Sequence, residues 1–228
     1  MKVQIYGTRT LDDARALAGM GVDHLGLELE HGGDELARVE RIIETVRGQV
    51  TTVLLPLLDS RDAMVAAVER LRPEVVHISA NVDVVGLDQI ESFRDAVSPT
   101  KVMKAIPVAP PAYSHTVDSL GYATAFDPFV DYLLLDTKLG DEGGDPLPGW
   151  IGITGKTHDW TVSRSIGEAC RTPIILAGGL NPGNVQHAIE AVSPWGVDAC
   201  TGLDLRRGKK DLAKCRLFID RARSSPER

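Results

Sequence analysis

Cysteine is scarce in this 228-residue chain. The three cysteines, Cys170, Cys200 and Cys215, form an odd set without CxxC spacing. Such a set excludes a disulfide framework and a zinc motif, and it is typical of a protein in a reducing compartment. We therefore expect free thiols and no bound metal.

Positive charge and long apolar runs are also lacking. The formal net charge is -7 and the charges are scattered, which argues against nucleic acid as a main partner. A small anionic ligand stays possible, because a local site can oppose the net charge. No apolar run approaches the roughly 18 residues that span a membrane, and no basic and apolar signal opens the chain. We expect a cytoplasmic protein that binds no membrane.

Strand-like and helix-like segments alternate along the whole chain. The predicted strands cover residues 2–6, 24–30, 51–57, 75–79, 101–108, 130–136, 174–177 and 197–200. Eight such units without a linker predict a single (β/α)8 TIM barrel domain over residues 1–228. An open doubly wound sheet is the alternative, although it usually has fewer units. In a barrel, the active site lies where the strands end at their carboxyl side.

A glycine pair follows the seventh predicted strand. Gly178 and Gly179 precede Asn181-Pro182, a pattern that predicts a helix capped by Asn181 and beginning at Pro182. The turn is either an anion site or a plain tight turn. Loops after strands seven and eight commonly hold phosphate in barrels, and Thr201-Gly202 follows the eighth strand. Together the two turns favour phosphate binding.

Polar side chains at other strand ends are candidates for catalysis. Asp136 follows three leucines and is the strongest acid–base candidate, with a helix cap as its alternative. Glu28 and Glu30 share a face, so they either perform acid–base chemistry or bind a cationic group, with a loop salt bridge as the alternative for Glu30. His77 is an acid–base group, a metal ligand or a hydrogen-bonded core histidine. Tyr6 either faces the site or is half-buried.

Several motifs together resemble the phosphoribosylanthranilate isomerase family over nearly the whole chain. They are Leu133-Leu134-Leu135-Asp136-Thr137, Gly155-Lys156-Thr157-His158-Asp159-Trp160, the stretch from Ile175 to Val185, Gly196-Val197-Asp198 and Gly208-Lys209-Lys210-Asp211. The resemblance implies a (β/α)8 enzyme of tryptophan biosynthesis that catalyses an Amadori rearrangement without metal or organic cofactor. It also implies Asp136 as the general acid, and phosphate-binding turns at Gly155, Gly178-Gly179 and Thr201-Gly202.

The chain departs from the family pattern around the rest of the site. Tyr6 stands where the family has its general-base cysteine, and a phenol with a pKa near 10 is a poor base at neutral pH. The family's Arg after the second strand, which meets the anthranilate carboxylate, is absent. We therefore expect Glu28 or His77 as the base. The expected partner is a phosphorylated sugar substrate, with a neutral or cationic aglycone as one option, and the expected assembly is a monomer or a homodimer.

Two other functions stay open. One is a metal-assisted aldolase or epimerase on a sugar phosphate, with Glu28, Glu30, His77 and Asp136 as ligands. A Schiff base on Lys104 is a variant of this chemistry. The other is a non-catalytic phosphometabolite-binding protein. Residues 138–156 form a long Gly/Asp/Pro-rich loop, interpreted as a mobile flap, with metal binding as the alternative.

Overall fold

Eight parallel strands close into a barrel in the computed structural model. The structure describes residues 1–30, 33–79, 85–138, 155–206 and 208–224. The predicted (β/α)8 class is confirmed, and the open doubly wound sheet is wrong. The closing pair joins the first and last strands in register, with Gln4 beside Asp198 and Ile5 beside Ala199.

The barrel strands lie close to their predicted positions. They are β1 Lys2–Ile5, β2 His24–Leu29, β3 Thr51–Pro56, β4 Val75–Ile78, β5 Lys101–Val108, β6 Tyr132–Thr137, β7 Ile174–Leu176 and β8 Gly196–Ala199. A short hairpin, β9 Asp204–Arg206 and β10 Lys209–Lys210, follows the last barrel strand. The alternation of the sequence did not predict this hairpin.

Helices cover the outside of the barrel. In the described residues they are α1 Leu11–Gly19, α2 Asp34–Val46, α3 Arg61–Leu71, α4 Ile90–Val97, α5 Ser119–Phe126, α6 Trp160–Ala169, α7 Val185–Val192 and α8 Leu212–Ser224. Several begin at a side-chain cap, for example Thr10 on α1 and Asp159 on α6. Within this described part, no helix is long and apolar enough to cross a membrane.

The core has two layers because side chains alternate along each strand. The outer layer packs one face of each strand against the helices, as with Leu25, Leu27 and Leu29 of β2. The inner layer fills the barrel and includes Tyr6, Leu55, Val75, Met103 and Leu134. This alternation is what turns selected polar side chains toward the interior.

The helix after the Gly178-Gly179 turn begins later than predicted. α7 starts at Val185 rather than at Pro182, and its N-cap is Asn184. Asn181 instead closes a turn of its own, since its Oδ1 accepts the Gly183 backbone N–H at 2.7 Å. The Asn184 Oδ1 accepts the Asn181 backbone N–H at 2.8 Å. These local side-chain bonds compete with helix formation, so the prediction of a cap at Asn181 is wrong.

Candidate active site

A cavity that opens to solvent lies at the carboxyl ends of the strands. All nine residues proposed from the sequence as catalytic or phosphate-binding line it: Tyr6, Glu28, His77, Asp136, Gly155, Gly178, Gly179, Thr201 and Gly202. The apolar part of the wall includes Leu55, Leu57 and Leu134. A mostly apolar cavity with a few converging polar groups is the usual form of a small-molecule site.

Asp136 occupies the next-to-last position of β6 and its carboxyl faces the cavity. Burial raises the pKa of this carboxyl to about 6, although a hydrogen bond acts in the opposite direction. That bond runs from the backbone N–H of Thr137 to Oδ1 at 2.7 Å. A carboxyl with a pKa near neutrality can both release and take up a proton at physiological pH.

Tyr6 and His77 form one hydrogen-bonded pair in the cavity wall. The Tyr6 hydroxyl lies 2.8 Å from the His77 Nδ1, and both side chains are buried. Burial, followed by the nearby carboxyls of Asp198 and Glu28, raises the pKa of Tyr6 well above its usual value. Burial lowers the pKa of His77 to about 3, and the positive charge of Lys104 adds to this effect. Both groups are therefore neutral at pH 7.

Glu28 and Glu30 share one guanidinium at the mouth of the barrel. The Nη2 of Arg9 lies 3.1 Å from Glu28 Oε2 and 2.9 Å from Glu30 Oε1. Glu28 lines the cavity and its side chain is 16% exposed, whereas Glu30 does not line the cavity and takes the loop salt bridge that was its alternative. The site thus has a carboxylate wall with a cationic neighbour. A cationic partner for the two glutamates was one option from the sequence, but Arg9 was not identified as that partner.

The three glycine-containing turns meet at one end of the cavity. Gly155, Gly178 and Gly179 have φ values of 63°, 79° and 62°, which glycine adopts without strain. A Cβ on Gly179 would lie 2.7 Å from the Lys156 carbonyl carbon, and one on Gly202 would overlap the Leu180 carbonyl oxygen. The backbones of these turns lie too close to one another to leave room for side chains. The turns therefore present bare peptide groups to the cavity. Such concave backbone turns bind anions.

Thr137 and His158 fasten these turns to the barrel. The Thr137 hydroxyl donates to the Lys156 carbonyl oxygen at 2.7 Å and lies 3.2 Å from His158 Nδ1. The other ring nitrogen of His158 lies 2.8 Å from the Ser163 hydroxyl on α6. Burial lowers the pKa of His158 to about 4, so this imidazole is neutral. The network holds the Gly155-Lys156 turn against the end of β6.

Similarity to known proteins agrees with this geometry. A family model described as N-(5'phosphoribosyl)anthranilate (PRA) isomerase matches residues 73–221. An enzyme of that name from Methanocella arvoryzae is 34% identical over 97% of this chain and 98% of its own. The chain belongs to the phosphoribosylanthranilate isomerase family.

Solved structures of family members share the barrel. The phosphoribosyl anthranilate isomerase from Thermotoga maritima superposes with a TM-score of 0.76 at 26% identity, covering 98% of each chain. A second phosphoribosyl anthranilate isomerase, in complex with reduced 1-(o-carboxyphenylamino)-1-deoxyribulose 5-phosphate, gives a TM-score of 0.73 at 23% identity over 98% of each chain. These structures confirm the predicted fold, and membership of the family confirms the predicted isomerase class.

Asp198 is the cavity residue that the sequence analysis missed as a site residue. It lies on β8, is only 6% exposed and lines the cavity. Burial raises the pKa of its carboxyl well above the usual range, and the Asp136 carboxyl raises it further. Its Oδ1 has no hydrogen-bond partner among the described residues. Asp198 was noted only as part of a family motif, although an Asp inside a barrel strand is itself a signal.

Two elements of the aldolase alternatives do not match the structure. Lys104 points away from the cavity, because its Nζ lies 5.9 Å and 5.4 Å from the ring centroids of Tyr122 and Phe126 on α5. The Schiff-base variant is therefore wrong. In the described part of the chain, no three His, Cys, Asp or Glu side chains are grouped as metal ligands. Residues 139–154, most of the expected flap, lie outside the described residues.

Proposed function

We propose that this chain converts N-(5'-phosphoribosyl)anthranilate into its aminodeoxyribulose phosphate by an Amadori rearrangement. The observation that carries the proposal is the convergence of all nine candidate residues on one cavity. Four of them are polar side chains suited to proton transfer or hydrogen bonding. The other five lie on the turns that suit a phosphate. A phosphorylated sugar with a reactive ring end matches this division.

Asp136 acts as the general acid in this proposal. Its proton goes to the ring oxygen as the bond between that oxygen and C1 breaks, and the amine lone pair forms the C1=N double bond. The raised pKa of about 6 keeps a usable fraction of the carboxyl protonated near neutral pH. No metal or organic cofactor takes part in these steps.

Glu28 acts as the general base. It removes the proton from C2, and the electrons of that bond form a C1=C2 double bond as the imine nitrogen regains its lone pair. The resulting enol then takes a proton at C1 and loses one from the C2 oxygen, which gives the ketose. Glu28 is preferred because Tyr6 is held as a neutral phenol, and the lowered pKa of His77 makes it a weak base.

Arg9 supports an anionic aglycone such as anthranilate. Two unpaired glutamates at the mouth would repel a carboxylate, but Arg9 lies within 3.1 Å of both. The guanidinium offsets one of the two charges, and its side chain remains 33% exposed. The repulsion that favoured a neutral or cationic aglycone is therefore reduced.

Complementation in cells tests the proposal. A tryptophan-requiring strain without its own isomerase should grow on medium without tryptophan when it expresses this chain, and it should not grow with Asp136→Asn. Growth with neither protein, at equal expression of folded protein, would favour a non-catalytic phosphometabolite-binding protein. The proposal also places the chain in the cytoplasm as a single barrel domain, consistent with its three free cysteines.

A further inference from the structure

Tyr6 packs so closely against Gly26 that position 26 has no room for a side chain. A Cβ on Gly26 of β2 would overlap the Tyr6 ring at Cδ1, Cγ and Cε1. The ring therefore packs closely against Gly26 and is 5% exposed. Its hydroxyl is directed across the barrel to His77 on β4. The position of the phenol is set by the fold and leaves it little freedom to rotate.

The hydrogen bond between Tyr6 and His77 selects one tautomer of the His77 imidazole. Tyr6 keeps its proton because burial and nearby carboxyls raise its pKa well above the usual value. A phenol O–H is the better donor and an imidazole nitrogen lone pair is the better acceptor, so Tyr6 donates to Nδ1. A neutral imidazole carries only one N–H, and with Nδ1 accepting, that hydrogen resides on Nε2.

The second ring nitrogen of His77, Nε2, takes no part in the bond to Tyr6. It is buried and has no hydrogen-bond partner within the described residues, although His77 lines the cavity. A buried N–H without a hydrogen-bond partner destabilises the folded protein. A ligand oxygen in the cavity would remove that destabilisation.

We propose that Tyr6 is a positioning residue that fixes His77 as a neutral Nε2–H donor, and that this donor binds an oxygen of the substrate's sugar. The inference rests on the proposed function, because it takes a phosphorylated sugar amine as the ligand. His77 then stabilises charge that develops on that oxygen without transferring a proton. Fixed neutral donors of this kind are effective because they need no rearrangement during the reaction.

A tautomer measurement tests the inference without turnover. In the wild-type protein labelled with ¹⁵N-histidine, NMR should assign the hydrogen of His77 to Nε2 at pH 7. Tyr6→Phe keeps the ring against Gly26 but removes the hydroxyl, so His77 should then become a mixture of both tautomers. A hydrogen on Nδ1 in the wild type, or an unchanged spectrum in Tyr6→Phe, would overturn the inference even if phosphoribosylanthranilate is not a substrate.

Kinetics with that substrate test the catalytic half. Tyr6→Phe should lower kcat by about ten-fold with little change in KM, and His77→Leu should lower kcat by about 100-fold or more. His77→Gln, which can place an N–H near Nε2, should recover activity to within about ten-fold of wild type. Because Tyr6 acts through His77, adding Tyr6→Phe to His77→Leu should cost nothing further. An equal loss in both backgrounds would overturn the role of Tyr6.

Discussion

The raised pKa that suits Asp136 to act as an acid should also destabilise the folded protein above pH 4. The pKa of Asp136 is about 6 in the folded state and 3.8 in the unfolded reference. As the pH rises from 4 to 6, the unfolded state loses this proton first, so the carboxyl lowers the free energy of unfolding.

Asp136→Asn removes this effect because asparagine does not titrate. At pH 7 the variant should be more stable than wild type by up to about 3 kcal/mol, and near pH 4 the difference should vanish. Urea unfolding at the two pH values measures both quantities. A variant that is less stable than wild type at pH 7 would contradict the burial argument.

Glu28 and Glu30 offer a matched pair for testing the base. Both contact Arg9, but only Glu28 lines the cavity. Glu28→Gln should lower kcat/KM by about 10²- to 10⁴-fold, the usual contribution of a general base. Glu30→Gln should change it by a few-fold at most. Steady-state kinetics with phosphoribosylanthranilate distinguish the two, and equal effects would assign the loss to the ion pair instead.

At the scale of elements, the turn after β7 tolerates only glycine. Gly179 has a φ of 62°, and an added Cβ would lie 2.7 Å and 2.9 Å from backbone atoms of Lys156 and Thr157. Gly179→Ala should therefore displace the Gly155-Lys156 turn, lower stability by more than about 1 kcal/mol and weaken phosphate binding. Thermal unfolding and titration with inorganic phosphate measure these changes.

Gly167 in α6 is the matched control for this substitution. Nothing lies within 4 Å of a Cβ added there, and its backbone is helical. Gly167→Ala should raise stability by about 0.5–1 kcal/mol, because alanine is the better helix former. Phosphate affinity should not change. If both alanine variants behave alike, close backbone contact is not what requires glycine at the turn.

At the level of the whole barrel, an aromatic cluster lies far from the cavity, so its loss should affect stability without affecting activity. The end away from the cavity is closed by Trp195, His24 and Tyr132, whose ring centroids lie 5.4 to 5.7 Å apart. Trp195→Ala should lower the free energy of unfolding by about 1–3 kcal/mol through two lost aromatic contacts. It should leave kcat unchanged because neither His24 nor Tyr132 lines the cavity. Leu217→Ala, at a residue 44% exposed, should change neither quantity.

The period of two along a strand predicts which side chains share a face, because this depends only on local backbone geometry. Alternation in the first predicted strand favoured a Tyr6 facing the site, with a half-buried tyrosine as the alternative, and position at a strand end made His77 and Asp136 candidates. Alternation could not predict the Arg9 ion pairs, because Arg9 lies 19 and 21 residues from its partners and meets them only when the barrel closes. The late start of α7 was missed for a similar reason: Asn181 and Asn184 bond side chain to backbone instead of continuing a helix.

Turnover of phosphoribosylanthranilate by the purified protein is the decisive test of the proposed isomerase activity. The disappearance of the substrate should follow saturable kinetics with wild type at pH 7, without added metal or cofactor. It should fall by at least about 10²-fold in Asp136→Asn, the lower range for loss of a general acid. A folded wild-type protein that leaves the substrate unchanged would contradict the isomerase activity, and an Asp136→Asn variant that turns it over at the wild-type rate would contradict the role of Asp136.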